Sequence, residues 1–255
     1  MQMSARRNSP APPVGRRSYR APDRVSAVSL QALLRSTGRG ALTARQFELL
    51  GADADSARQG DAEVYFAGNI DVLSQKCVSI VGTREASPDG IARATRLARE
   101  LVQAGVTVVS GLARGIDTAA HVSAIRHGGR TAAVIGTPLS KAYPAENADL
   151  QEQIWREHLL LSPFREGAAV HRGNFPARNR VMAAVSDATV IIEASDTSGT
   201  LHQAAECQRL GRWLFIAKSV VDDTSLTWPP RFVGKQKVAV LETTSDILNT
   251  IQEIA

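Results

Sequence analysis

Four short stretches of this chain carry side chains suited to holding a phosphate or a base. The first is Gly82-Thr83-Arg84, where a glycine lets backbone approach a ligand and the arginine two positions on offers a permanently charged, bidentate fork. In the second, Ser110-Gly111-Leu112-Ala113-Arg114-Gly115-Ile116-Asp117, two glycines and a hydroxyl precede a helix start. Unpaired N–H groups and the positive end of the helix dipole there make an anion cradle. The third runs from His171 through Arg172, Gly173, Asn174, Phe175, Pro176, Ala177, Arg178 and Asn179 to Arg180. It sets four bases around one aromatic and two amides, with no acid among them. Cations for phosphates beside a ring for stacking is the chemistry of single-stranded nucleic-acid binding. The fourth, Ser198-Gly199-Thr200-Leu201, opens another helix and offers a second anion nest.

Each stretch also has a plainer reading. Arg84 is a surface arginine after a strand, the glycines near Ser110 make a tight turn, and Phe175 is a core residue flanked by solvated arginines. Asp117 reads as a helix cap, and His121, one turn later, as a residue that fixes the loop rather than a metal ligand. None of the glycine clusters is a G-x-G-x-x-G or a Walker A sequence, so neither a dinucleotide cofactor nor nucleotide hydrolysis is supported. No cofactor, no metal and no catalytic residue is expected. Four phosphate-competent features at strand ends of one sheet nevertheless favour a polyanion or nucleotide as ligand.

The elements that must position these loops are legible. Short β-rich runs at 78–81, 106–109, 131–135, 159–161, 188–192, 213–217 and 238–241 alternate with helical stretches, the signature of a parallel sheet covered on both faces. Ser87-Pro88-Asp89 supplies an N-cap, a proline in the first helical turn and an early acid. Ile91, Ala94, Leu97, Ala98 and Leu101 then share one face, and Gly105 stops the helix. Further helices are read after Asp117, ending at Gly128-Gly129, after Ser198, ending at Gly211, and from Ser245-Asp246, burying Ile247, Leu248 and Ile251. A fourth is read at 181–185, following the basic loop. The expected fold is α/β, an extended Rossmann-like domain with a mostly parallel sheet and helices on both faces. Ligands of such folds sit beyond the carboxyl ends of the strands, where all four loops fall.

Composition and charge divide the chain further. Thirty Lys and Arg against 25 Asp and Glu leave +5, and residues 1–24 alone, with six arginines and one acid, hold a surplus of that size. That segment is rich in Pro, Arg and Ser and cannot bury enough apolar surface to offset its ordering entropy. The expected organisation is therefore a disordered basic tail over 1–24, a short helical lead-in over 25–62, and a Rossmann-like domain over 63–255. Val25, Val28, Leu33 and Leu34, then Leu42, Phe47 and Leu50, carry the helical pattern of the lead-in. Cys77 and Cys207 show no ligand-like spacing, and no apolar run approaches the ~18 residues of a membrane span, so a cytoplasmic location without membrane attachment is expected. Trp155, Trp213 and Trp228 lie off the four loops and read as packing residues, while the Trp228-Pro229-Pro230 turn has no evident role.

The blocks 78–84, Val-Ser-Ile-Val-Gly-Thr-Arg, and 108–121, Val-Val-Ser-Gly-Leu-Ala-Arg-Gly-Ile-Asp-Thr-Ala-Ala-His, with Val-Ile-Gly-Thr, Tyr-Pro-Ala-Glu-Asn and Asn-Phe-Pro-Ala-Arg-Asn-Arg following, resemble the DprA/Smf DNA-processing family in family order. The resemblance implies a non-enzymatic protein that binds single-stranded DNA, forms a homodimer, and protects incoming strands and loads RecA onto them in natural transformation. It implies a pocket with phosphate contacts from Arg84 and Arg172 and base stacking on Phe175. Ser110, Gly111, Arg178, Asn179 and Arg180 would line or brace that pocket, with Arg114, Gly115, Asn174, Ser198, Gly199 and Thr200 beside it. Many members carry further N- and C-terminal domains, whereas here the lead-in is short and the sequence ends soon after the last strand. Two other readings remain: an offshoot that senses a nucleotide or nucleic acid in genome defence, and a nucleoside-monophosphate phosphoribohydrolase of the wider superfamily. The second resembles a Gly-Gly-x-Gly-Thr-x-x-Glu motif, but position 203 is Gln and the nearest acid, Glu206, lies a helical turn further on.

Overall fold

The computed structural model describes residues 19–40 and 62–253. Nine strands form one sheet in the order β1-β2-β6-β5-β4-β3-β7-β8-β9. These are β1 (Ser26–Ser29), β2 (Glu63–Gly68), β3 (Cys77–Gly82), β4 (Thr107–Ser110), β5 (Thr131–Val134), β6 (Leu159–Ser162), β7 (Ala188–Glu193), β8 (Trp213–Ala217) and β9 (Val238–Leu241). β6 through β9 in that spatial order are all parallel, while β1 and β2 pair antiparallel with each other and β2 with β6. Every run read from the sequence is a strand of this sheet.

The helices are α1 (Leu30–Ser36), α2 (Pro88–Gln103), α3 (Ile116–Arg126), α4 (Ala148–Glu157), α5 (Asn174–Ala184), α6 (Thr200–Arg209), α7 (Lys218–Val221) and α8 (Thr244–Gln252). Helix α2 starts as its sequence dictates: the Ser87 hydroxyl accepts from the Gly90 N–H at 3.0 Å, and Ala94, Leu97, Ala98 and Leu101 are buried. Strands β3 to β7 are buried on both faces, since successive side chains enter two different cores. Val81, Val109, Val134 and Ile191 pack with Met182 of α5 and Cys207 of α6. Val78, Ile80, Val108 and Val190 pack with α2, α3 and Ile247 of α8 on the other side. A smaller core joins Ile154 of α4 to Ala133, Ile135 and Leu160.

Three features differ from the sequence reading. Residues 26–29 are a strand, because Ser29 caps a helix that begins only at Leu30, its hydroxyl accepting from the Ala32 N–H at 3.1 Å. The spacing of Val25 and Val28 mimics a helix, yet Ala27 and Val28 lie opposite Tyr65 and Val64 of β2. The described part of the lead-in is thus an edge of the same sheet rather than a unit of its own; Leu42, Phe47 and Leu50 fall outside the described residues. Second, the basic segment 174–180 is no loop but the first two turns of α5, compatible with Pro176 because an N–H in a first turn needs no helical partner. Third, Tyr19 and Arg20, read as part of the disordered tail, are bonded to the body: the Tyr19 hydroxyl donates to the Leu139 carbonyl at 2.8 Å. The Trp228 turn also acquires a role, for its buried indole N–H donates to the Ala194 carbonyl at 3.0 Å just past β7.

Candidate nucleic-acid interface

Strand order reverses direction between β3 and β7, because β3 leads through α2 to β4 on one side and borders β7 on the other. A crevice opens beyond the carboxyl ends at such a switch point. Here it is a cleft of about 720 Å³ lined by Thr83 and Arg84 after β3, Ser198 to Thr200 after β7, and Arg172, Phe175, Arg178 and Asn179 at the start of α5. A second groove of about 590 Å³ adjoins it, sharing Arg84, Tyr143, Phe175 and Arg178 and extending to Arg114 and Glu146. Three of the four loops thus converge on the main cleft, and the loop after β4 reaches it through Ala113 and Asp117.

At the centre stands the half-buried ring of Phe175. The Arg84 guanidinium lies over it, 5.5 Å from the centroid, and the exposed Tyr143 ring lies 5.4 Å away at an interplanar angle of 46°. Phe175 can stand so close to β5 because position 136 is glycine: a Cβ there would come within 2.9 Å of the ring. Arg84 and Arg172 are exposed, and among the described residues neither has a carboxylate within ion-pair distance. Their guanidinium groups line the cleft without an ion pair to any of the described residues.

The other basic residues are already engaged. Arg178 is buried and donates to the Val134 carbonyl at 2.9 Å, passing so near the backbone that a Cβ on Gly111 would lie 1.4 Å from Nη1. It braces the cleft floor. Arg180 turns away to pair with Glu206 of α6 at 3.3 Å, which removes it from the pocket. Arg114 is exposed but ion-paired to Glu146. Arg180, expected at the site, is not among the residues lining either hollow, and Arg114 lines the adjoining groove.

The expected anion cradle after β4 is occupied by the protein itself. Asp117 Oδ2 accepts from the Gly111 N–H at 3.1 Å and the Ala113 N–H at 3.3 Å, so those amides are spent. Asp117 caps its own preceding loop from inside α3, while Gly115 stands at the helix N-cap. Burial pushes the Asp117 carboxyl above its usual range, an effect that the neighbouring charge of Arg178 and the two amides oppose. Ser110 is likewise withdrawn, its buried hydroxyl donating to the Ile80 carbonyl at 2.7 Å. Gly115, at φ 72°, lets this loop lie on the next one, since a Cβ would stand 2.5 Å from the Thr83 carbonyl. His121, a buried residue of α3, sits beneath, its Nδ1 2.7 Å from the Thr131 hydroxyl of β5.

Polar contacts fasten the remaining parts. The Asn174 amide donates to the Gly136 carbonyl at 3.2 Å, Asn179 to that of Gly199 at 3.4 Å, and Thr200 to that of Gly82 at 3.2 Å. The Ser198 hydroxyl accepts from the Thr200 N–H at 3.2 Å, which fills part of the nest after β7. Tyr143, Glu85 and His202 also line the cleft and were not singled out as site residues from the sequence. Tyr143 could have been, because it stands in the Tyr-Pro-Ala-Glu-Asn block; only the fold shows it beside Phe175. Gln203 is buried and donates to the Thr189 hydroxyl at 3.3 Å, whereas Glu206 is held by Arg180 and Arg209, away from the cleft.

Fold and cleft together define a Rossmann-like protein whose site combines side-chain cations with exposed aromatic surface. A family described as DNA recombination-mediator protein A matches residues 54–252, and the chain belongs to that family. It is 42% identical over 156 residues to Protein Smf of Synechocystis, covering 60% of this chain and 39% of that protein. It is 39% identical over 163 residues to the DNA processing protein DprA of Streptococcus pneumoniae, covering 64% and 57%. The chain thus spans about two fifths to three fifths of the length of these relatives. The crystal structure of DNA processing protein A from Streptococcus pneumoniae superposes with a TM-score of 0.67 at 34% identity, over 73% of this chain and 65% of that one. That of DNA processing protein A from Helicobacter pylori, from work on its single-stranded DNA binding mode, gives 0.69 over 90% and 96%; at 24% identity it bears on the fold alone. No helix among the described residues is long and apolar enough to cross a membrane.

Proposed function

We propose that the cleft binds single-stranded DNA without chemical conversion, Arg84 and Arg172 holding phosphates while Phe175 and its neighbour Tyr143 receive a base. The carrying observation is the pair of exposed arginines, without carboxylate partners among the described residues, that line the cleft with a half-buried ring. Phosphate contacts position a strand and stacking tolerates any base, so such a site follows backbone and π-faces rather than sequence. Hydrolysis of nucleoside monophosphates is disfavoured by Gln203 at the position of the expected acid and by the ion pairs that turn Glu206 away. Family membership supports the wider role: a homodimer that protects incoming strands and passes them to RecA.

Fluorescence anisotropy with oligo-dT tests this reading. Arg84→Ala and Arg172→Ala each weaken binding and each lower the log–log salt slope by about 0.7, the value for one phosphate on a single strand. Arg180→Ala, whose guanidinium serves Glu206, leaves affinity and slope near those of the parent. Unchanged binding in both Arg84→Ala and Arg172→Ala sinks the proposal. Binding without RecA recruitment favours the genome-defence reading, and release of free base from nucleoside monophosphates favours the hydrolase.

A further inference from the structure

The groove beside the cleft differs from it in material. Its volume of about 590 Å³ falls within the roughly 300–1,000 Å³ of ligand sites, and it shares Arg84, Tyr143, Phe175 and Arg178 with the cleft, so the two hollows meet at the Tyr143–Phe175 ring pair. Beyond the rings the wall is made of small residues: Gly111, Ala113, Gly136, Ala142, Pro144 and Ala145. Arg178 and Phe175 leave no room for a Cβ on Gly111 or Gly136. The Gly111 and Ala113 amides are held by Asp117. This wall therefore offers carbon surface to a ring, and an anion must look to side chains.

The charged side chains that face the groove are Arg84, Glu85, Arg114, Glu146 and Arg178. Arg178 is buried and bonded to Val134, and Glu85 lines both hollows. Arg114 and Glu146 line the groove alone and are ion-paired to each other, with side chains 64% and 38% exposed. The frame that sets them opposite one another is fastened, for the Asn147 amide donates to the Leu112 carbonyl and to the Thr118 hydroxyl, each at 2.9 Å. An exposed pair of this kind contributes at most about a fivefold factor to an equilibrium. A phosphate accepts two parallel N–H bonds from a guanidinium, so it can take Arg114 from the carboxylate by side-chain rotation. We propose that the groove is a second nucleotide station for the strand held in the cleft, a base lying on the small-residue wall past Tyr143 while its phosphate displaces Glu146 from Arg114. This rests on the cleft binding single-stranded DNA. Glu146 is then a built-in competitor of the ligand, and removing its charge strengthens binding.

Oligo-dT affinity is measured by fluorescence anisotropy across a salt series, and thermal unfolding checks that these exposed substitutions leave the fold intact. Glu146→Gln is expected to tighten binding about two- to fivefold, because the pair no longer has to be broken. Adding Arg114→Ala is expected to abolish that gain and to lower the log–log salt slope by about 0.7 relative to Glu146→Gln, the value for one phosphate on a single strand. Occupancy of the wall is read separately. Ala145→Cys places an exposed thiol in the groove while Cys77 and Cys207 are buried, and oligo-dT is expected to slow its reaction with N-ethylmaleimide several-fold. Unchanged or weaker binding in Glu146→Gln, or a gain that survives Arg114→Ala, overturns the displacement. Undiminished labelling at saturating oligo-dT overturns the station. In either case the cleft still stands if Arg84→Ala and Arg172→Ala lose affinity, whereas a parent chain that does not bind oligo-dT overturns the DNA-binding reading itself.

Discussion

The Arg84 guanidinium rests over the Phe175 ring with its carbon 5.5 Å from the centroid, so the exposed cation and the aromatic ring of the cleft support one another. A cation over an aromatic face at an exposed site is worth about 0.5–1 kcal/mol, which restrains an arginine that no carboxylate among the described residues holds. The two residues should therefore not act independently. Phe175→Ala is expected to cost about 1–3 kcal/mol of single-stranded DNA binding through lost stacking. Combined with Arg84→Ala, the loss should fall short of the sum by about 0.5–1 kcal/mol, measured as a double-mutant cycle in oligo-dT affinity. Additivity within about 0.3 kcal/mol would show that the contact organises nothing.

The glycine at 111 shapes the cleft floor through the side chain that packs against it. Its amide is taken by Asp117, and its missing side chain is the space through which Arg178 passes to Val134. Gly111→Ala must displace a buried guanidinium from its carbonyl. Overpacking of this kind costs about 1–3 kcal/mol, before any cost of leaving a charge unpaired. We expect a lower Tm together with weakened DNA binding, while Gly105→Ala, whose Cβ meets nothing within 4 Å although φ is 76°, should lose stability and retain the cleft. Normal stability and binding in Gly111→Ala would refute the bracing role.

The same residue shows where sequence reading stops. Parallel strands announce themselves, because β3 to β9 are short runs of Val, Ile, Leu and Ala bounded by capped helices, and the helix ends at Ser87 and Gly105 are dictated locally. The antiparallel edge was hidden: β1 is four residues long, and its pairing with β2 depends on a partner more than thirty positions away. At the site, residue types announced anion chemistry but not how each group is spent. Asp117 fills the amide cradle ahead of any ligand, Ser110 turns into the sheet, and Arg180 follows Glu206. Such allocation depends on what lies across the sheet or on the neighbouring helix, which spacing along one loop does not encode. Tyr143 was missed for the complementary reason: its partner Phe175 is thirty-two positions on and arrives through the fold.

His121 provides a pH signature of the layer beneath the cleft. Wholly buried against Thr131, it is pushed down to about 3 by desolvation first, with the charges of His158 and Arg178 adding to that effect. The native state therefore holds the neutral ring while the unfolded chain takes up a proton below the ordinary value of about 6.5. Stability is full above that value and is lost as pH falls toward about 3, at about 1.4 kcal/mol per pH unit once the unfolded ring is charged. Asp117 acts oppositely: its raised carboxyl takes up a proton in the native state before the unfolded one, which offsets part of the loss at acid pH. His158, also lowered by burial, acts in the same sense as His121. The contribution of His121 is isolated by difference: urea unfolding of the parent and of His121→Gln between about pH 6 and 5 should show the parent losing stability faster with acid, by close to one proton in the limiting slope. Parallel curves would mean that His121 is charged in the native protein, and that the pairing with Thr131 does not hold a neutral ring.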